Sequence, residues 1–335
     1  MNKILSIDII MTKTDLKDRK ILYELDIDCR QSNAQIGKKV GLGRDVVSYR
    51  INKMEEEGLI KNYYAVINTF RLGYNVFRMY INFQYVNQEI KDQIIKYFVE
   101  YKNSWVVHSI KSEIDLNVVI WVKDIYEFYQ FLDTTLDRFE DYFEKYTISI
   151  YILSDVYKKS YLLPENNDKS NRIICRMDCG QKPVEIDETD YKILNELAVD
   201  ARAPLIELAE KFGISSQSVN YRIKNLVKNG VIDALRVNLN LSKLGLQSFK
   251  VDIHLKDHKF KKQIIDYLKT KPYTEFMNIA IGWSDLEPEF VVKNLEELIK
   301  IMGEIGSEFP GAIKKQSFFI IEKTHKIQCM PAVFD

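Results

Sequence analysis

One stretch of this chain occurs twice. DLKDRKILYELDIDCR at Asp15–Arg30 returns as DETDYKILNELAVDAR at Asp187–Arg202, and VVSYRINKMEEEG at Val46–Gly58 returns as SVNYRIKNLVKNG at Ser218–Gly230. At a fixed offset of 172, Asp15–Phe83 lies on Asp187–Leu255 without a gap, with 22 identities in 69 positions. Further along the offset falls to 170, where Asp115-Leu116 meets Asp285-Leu286 and Val122-Lys123 meets Val292-Lys293. The second copy has therefore lost two residues between the matched blocks. The chain is a tandem duplication of one unit of about 150 residues.

The first part of each unit reads as helical. Ile21, Leu22 and Leu25 follow Asp18 at helical spacing, as Ile193, Leu194 and Leu197 follow Asp190. A second helix is expected at about 34–40 and 206–212. A tight turn, Gly41-Leu42-Gly43 or Gly213-Ile214-Ser215, then leads into a third helix. There Val47, Ile51 and Met54 (Val219, Ile223 and Leu226) share one face. Ser215 suits the N-cap of that helix and Gly43 suits it less well, while Gly58 and Gly230 end it before a short strand. Three helices with a glycine turn and a following strand make a winged helix-turn-helix.

The second part alternates strands and helices. Phe77–Phe83 and Phe249–Leu255 alternate apolar and polar residues with period two. A helix follows with Ile90, Ile94 and Phe98 on one face, or Phe260, Ile264 and Leu268. Strands are expected at about 104–111 and 115–122. A second helix carries Ile125, Phe128, Leu132, Leu136 and Phe139, and a last strand runs from about 146 to 153. The order βαββαβ is a ferredoxin-like split domain, with two helices on one sheet face and the other face open for pairing. The fold class is thus α+β, in two repeats. The expected divisions are winged helix-turn-helix regions at 12–68 and 185–240, ferredoxin-like domains at 69–160 and 241–335, and a linker at 161–184. That linker centres on the polar stretch Pro164–Pro183, which is expected to be exposed.

The 335 residues carry 48 basic and 48 acidic side chains, a formal charge of zero, with 46% hydrophobic and 29% charged residues. That is ordinary globular composition, and it excludes a uniformly basic nucleic-acid coat. The apolar stretch Ile4–Met11 is too short to span a bilayer. The four cysteines are too few for a disulfide framework, so a cytoplasmic protein is expected. Cys175 and Cys179 form a C-x3-C pair, half of a metal site at most. No second Cys or His pair lies near it, so two reduced thiols are expected, with no metal and no cofactor.

The stretches L-x-D-R-x-I-L-x-x-L at Leu16–Leu25 and V-x-Y-R-I at Val47–Ile51, followed by a βαββαβ pattern, resemble the Lrp/AsnC transcription regulators. In that family the C-terminal part is the RAM (regulation of amino-acid metabolism) effector domain. The resemblance covers nearly the whole chain, twice. It implies a sequence-specific DNA-binding regulator with double-stranded DNA as partner, modulated by a small effector such as an amino acid. A fused double unit implies that one polypeptide supplies what two copies normally supply. Pairing of the RAM domains within the chain or as a homo-oligomer is left open.

The second helix of the motif is the one that enters the major groove. With its core positions removed, Arg44, Asp45, Ser48, Tyr49 and Asn52 remain in the first copy, and Ser216, Gln217, Asn220, Tyr221 and Lys224 in the second. Arg suits guanine, whereas Asn and Gln suit adenine. The two sets differ, which predicts unequal half-sites; the plainer alternative is two solvated helix faces. Arg50 and Arg222 would touch phosphate or pair with Asp18 and Asp190, and the recurrence of both residues in both copies favours pairing. For the effector, the family's G-x-x-D loop survives as Gly282-Trp283-Ser284-Asp285. In the first copy it has become Ser112-Glu113-Ile114-Asp115, without the glycine. The alternative for both loops is a turn that only holds an interface.

Charge argues against strong unspecific DNA attraction. Asp15–Asn68 has 10 basic and 9 acidic residues, and Asp187–Asn240 has 7 and 8. His108, His254, His258 and His325 are scattered, and no nucleotide-loop, dinucleotide or zinc spacing occurs. An enzyme is not expected. Two alternatives stand beside the regulator: a ligand-sensing or assembly protein with a degenerate helix-turn-helix, and an enzyme resembling sirohaem decarboxylase, whose architecture is similar.

Overall fold

The computed structural model describes residues 14–164 and 172–332. The Ile4–Met11 stretch and the run Glu165–Asp168 lie outside the described residues. The first helical part is α1 (Leu16–Ile27), α2 (Asn33–Val40) and α3 (Arg44–Glu56). Asp15 and Asp18 close a reciprocal capping box on α1, and Ser32 and Gln35 close one on α2. Gly41 ends α2 at φ 69°, a left-handed conformation that glycine adopts without a Cβ penalty. Strand β1 (Ile60–Ile67) follows.

The first sheet part comprises β2 (Asn75–Phe83), α4 (Gln88–Glu100), β3 (Ser104–Lys111), β4 (Leu116–Val122), α5 (Ile125–Phe139) and β5 (Phe143–Tyr157). The second copy begins, after strand β6 (Ile173–Asp178), with α6 (Glu188–Val199), α7 (Leu205–Phe212), α8 (Ser216–Lys228) and β7 (Ile232–Leu239). It continues with β8 (Gln247–Leu255), α9 (Lys261–Lys269), β9 (Thr274–Ile281), β10 (Glu287–Val292), α10 (Leu295–Glu308), β11 (Ile313–Phe318) and β12 (Ile320–Ile327).

The two copies are interlaced. β1 does not form a wing within its own motif; it pairs antiparallel with β7, placing Tyr63 opposite Val237 and Ala65 opposite Leu235. The core around Ile21, Leu22 and Val47 therefore includes Val237 and Leu239 from the other copy, and the core around Ile193, Leu194 and Val219 includes Ala65. The sheet parts exchange edges in the same way. The first half of β5 pairs with its own β2 and the second half with β9. β11 pairs with its own β8, and β12 crosses to β3. The strand order is β11-β8-β10-β9-β5-β2-β4-β3-β12, and since only Phe319 separates β11 from β12, this path returns on itself. The face that the pattern left open is thus covered by the other copy of the same chain.

Alternation within β2 shows how sequence sorts the two faces. Phe77, Met79 and Ile81 pack with Ile94, Phe98 and Phe128 beneath the helices. Between them Arg78 and Tyr80 turn the other way and are also fully buried. The helix-covered face of the second copy is the equivalent cluster of Phe249, Val251, Ile253, Ile264 and Leu298.

The stretch expected as an exposed linker is corrected by the structure. Tyr161, Leu162 and Leu163 are buried against the first helical core, and Ile173–Asp178 forms β6 on the outer end of β5. Arg172 is buried, donating to the backbone carbonyls of Lys158, Lys269 and Thr274. A linker-like composition was thus overridden by pairing partners that only the folded sheet provides. The last strand of the first unit also extends to Phe143–Tyr157, beyond the expected 146–153, because its second half gains a partner in β9.

Candidate nucleic-acid interface and effector loop

α3 and α8 bury the positions that the pattern assigned to the core: Val47 and Val219 are inaccessible, and Ile51, Met54, Ile223 and Leu226 nearly so. What remains outward is the expected reading face. Arg44, Asp45, Tyr49, Asn52, Gln217, Tyr221 and Lys224 are exposed, and Ser48, Ser216 and Asn220 are half-buried. Tyr49 and Tyr221, both about two-thirds exposed, stand at equivalent positions. Ser215 caps α8 through a bond from the Ser218 N–H at 3.1 Å, whereas Gly43 offers α3 no side-chain cap.

Arg50 and Arg222 are held by carboxylates on the first helix of each motif. Arg50 Nη1 lies 2.7 Å from both Asp15 and Asp18, and Arg222 Nη1 lies 2.8 Å from both Asp187 and Asp190. Each arginine ties the third helix of its motif to the start of the first helix. A phosphate contact by Arg50 or Arg222 would have to compete with two carboxylates.

The β1–β7 pair fixes the two motifs relative to each other. Across it Arg30 donates to the carbonyls of Ala201 and Ala203, and its equivalent Arg202 reaches the Tyr63 hydroxyl and lies over the Tyr63 ring, 4.9 Å from its centroid. Cys29 N–H bonds the Leu235 carbonyl and Ala201 N–H bonds that of Tyr63. Two helix-turn-helix motifs related by a local two-fold arrangement are therefore presented by a single chain.

The Gly282 loop sits where the two copies meet. Gly282 has φ +99°, and a Cβ there would collide with the Ile148 carbonyl oxygen on β5. The glycine is thus demanded by close approach of the other copy as well as by its backbone conformation. Trp283 Nε1 donates to Asp252 at 2.7 Å. Ser284 is buried and bonds Asp252 and Glu287. Asp285 accepts from the Leu255 N–H at 2.7 Å, and Asp115 accepts from the Phe83 N–H at 2.8 Å. Three of the four expected effector residues (Ser284, Asp285 and Asp115) thus have internal partners. The cavity beside the loop, about 380 Å³, is lined by Gly282 with Trp283, His254, Lys145, Thr147 and Lys314 among others.

Beneath the loop lies a feature that sequence reading passed over. Arg78 Nη1 meets Glu287 at 2.6 Å, Lys250 Nζ meets the same carboxylate at 3.0 Å, and Lys250 also pairs with Asp252. Burial alone would push the Glu287 carboxyl up, but the charges of Arg78 and Lys250 hold it well below the usual carboxylate range. The available signal was the alignment of Arg78 with Lys250, two cations at one inward-alternating strand position of both copies.

The described fold is thus a single-chain pair of helix-turn-helix motifs carried on joined βαββαβ domains. A family model described as winged helix-turn-helix DNA-binding matches residues 14–61 and again 186–233. The chain is 33% identical over 140 residues to the proline dehydrogenase transcriptional activator of Rhodobacter capsulatus, covering 91% of that protein and 41% of this chain. It is 32% identical over 146 residues to the HTH-type transcriptional regulator FL11 of Pyrococcus abyssi, covering 93% of that protein and 43% of this chain. The chain belongs to the Lrp/AsnC family of transcription regulators. Over its whole length the fold is like that of the sirohaem decarboxylase NirDL, with a TM-score of 0.63, 12% identity and 94% of both chains covered. At that identity the likeness is one of fold. Among the described residues no helix is long and apolar enough to cross a membrane.

Proposed function

We propose that this protein is a sequence-specific DNA-binding transcription regulator in which one chain supplies both reading helices, and that these read unequal half-sites. The observation that carries this is the pair α3 and α8. Both are packed on the same buried positions and tied by the same Arg–Asp bridges, yet their outward residues differ at nearly every place except the tyrosine and the arginine. Side chains that served only as solvated faces would not need two identical clamps orienting them. Arg44 and Asn52 on α3, and Gln217 and Asn220 on α8, supply the donors and acceptors that suit base edges. The near-zero charge of both motifs offers little phosphate attraction, and it is the feature that favours the alternative of a ligand-sensing or assembly protein with a degenerate helix-turn-helix.

The test is binding of the purified chain to the DNA upstream of its own gene and to a scrambled duplex of the same composition, at two salt concentrations. Preference for the natural duplex, weakening with salt, supports the reading; equal binding to both overturns it. If both helices dock at once, their half-sites lie one helical turn, about 34–36 Å, or a multiple of it apart. Arg44→Ala with Asn52→Ala, and separately Gln217→Ala with Asn220→Ala, remove side chains that can each grip a base edge at two points. Every such grip removed should cost about 1–3 kcal/mol, and the two variants should show it at different base positions. Equal weakening at every position by both variants would remove the unequal-reading part.

The Gly282 cavity is where a small effector such as an amino acid would act, with Lys145 and Lys314 available to a carboxylate and the Ser284–Asp285 turn holding the loop in place. A ligand there would contact both copies and so shift their relative setting.

A further inference from the structure

The two copies part company at the waist, between the β1–β7 pair and the closed sheet. On one side a charged cluster fills the space. Asp26 accepts from Arg236 Nε at 2.8 Å and from the Lys159 N–H at 2.8 Å, and the Lys159 ammonium pairs with Glu275. All four residues are less than one-tenth exposed. On the other side the equivalent positions, offset by 172 or 170, are Ala198 for Asp26, Tyr64 for Arg236, Trp105 for Glu275 and Cys329 for Lys159. Every charge of the cluster is missing there, and the four replacements line a cavity of about 470 Å³. Duplication made two such spaces; one has been filled with ions and the other has been left open and furnished with aromatic rings.

The furnishing is specific. Trp105 stacks on Trp121 with ring centroids 5.5 Å apart and planes 11° apart, and Tyr151 tilts against Trp105 at 6.4 Å. The indole N–H of Trp121 is buried and has no hydrogen-bond partner among the described residues. Glu289 also lines the space, and its one hydrogen bond among the described residues comes from Asn278, at 3.3 Å. Burial pushes the Glu289 carboxyl up, and Lys250 and Arg78 offset this only in part, since their own ion pairs are with Glu287 and Asp252.

We infer that this waist cavity is a ligand site, distinct from the Gly282 loop, for a compact planar aromatic molecule carrying a protonated amine. The ring stacks in the aromatic lining and the amine pairs with Glu289. A volume of this size is within the usual range for small-molecule pockets, and a rigid aromatic lining favours flat ligands. A single site per chain follows from the ion cluster that occupies the equivalent space.

The experiment uses the full chain without DNA, so its outcome is independent of the regulatory reading. Tryptamine and indole-3-acetate, which share a ring and differ in charge, are titrated by calorimetry. In parallel the indole N–H resonances of the three tryptophans, Trp105, Trp121 and Trp283, are followed in a nitrogen-labelled sample. The expected result is one tryptamine per chain, at least tenfold weaker binding of indole-3-acetate, and shifts at Trp105 and Trp121 with Trp283 unmoved. Glu289→Gln should narrow the preference to less than threefold while the resonances of the free protein stay in place. No saturable binding, equal binding of both probes, shifts confined to Trp283, or a tenfold preference that survives in Glu289→Gln would each overturn the proposal.

Discussion

Asp26 and Arg236 come from different copies, touch along one edge of the waist, and are both inaccessible to water. Removing one partner strands the other in a region where the cost of an unpaired charge is large. Asp26→Ala should therefore lower stability by about 3–5 kcal/mol. Combining Asp26→Ala with Arg236→Tyr installs the residues found at the equivalent positions and should recover much of that loss; denaturant midpoints of the single and double variants decide it. If the double variant is no more stable than the single, the two sides of the waist are not interchangeable. His108 gives a pH-dependent counterpart. Burial, and then the nearby His325, lower its pKa from the ordinary 6.5 to about 4. The unfolded chain takes up a proton below about 6.5 and the folded chain does not until about 4, so stability present at neutral pH is lost as pH falls through that window. Because His108 is only partly buried, the loss should be about 1 kcal/mol. His108→Asn, which copies Asn278 at the equivalent place, should flatten the wild-type difference between urea midpoints measured near pH 7 and near pH 5.

Helices α3 and α8 show how little separates two copies of one element. α8 has a serine cap and α3 has Gly43, whose backbone is extended and whose Cβ position meets no other atom within 4 Å. Gly43→Ser should stabilise the first motif by a few tenths of a kcal/mol, and Ser215→Ala should weaken the second by about 1 kcal/mol. Thermal melts check both, and a gain from Ser215→Ala would contradict the cap. The Gly282 turn responds in the opposite sense to Gly43. There a methyl group would meet the Ile148 carbonyl and the backbone is left-handed, so Gly282→Ala should be destabilising by more than about 1 kcal/mol. In the first copy the loop has Ser112, which shows that the glycine answers to one side of an unequal interface.

Across the full chain the helical cores each borrow a strand from the other copy and the sheet closes through crossed ends. Neither half carries a complete set of partners. Urea unfolding should accordingly give a single transition, coincident by fluorescence and by circular dichroism, and residues 1–164 alone should not give a folded monomer; two separated transitions would show that the halves fold independently. Much of this protein is nonetheless legible in its residues taken in order. The repeat at 172, the helical spacing of Ile21, Leu22 and Leu25, the cap at Ser215, and the alternation of Phe77–Phe83 are local signals, and each became the element expected, because spacing and capping act within a few residues. The outward residues of α3 and α8 were legible too, since the core positions are set by one helix turn. Long-range packing made the remaining choices. β1 joined β7, β5 and β12 crossed between copies, part of the presumed linker became β6, and the positions shared by Asp26 and Ala198 became an ion cluster on one side and a cavity on the other. Those outcomes depend on contacts between residues more than a hundred positions apart, and a hydrophobic period has no information about which distant partner will satisfy it.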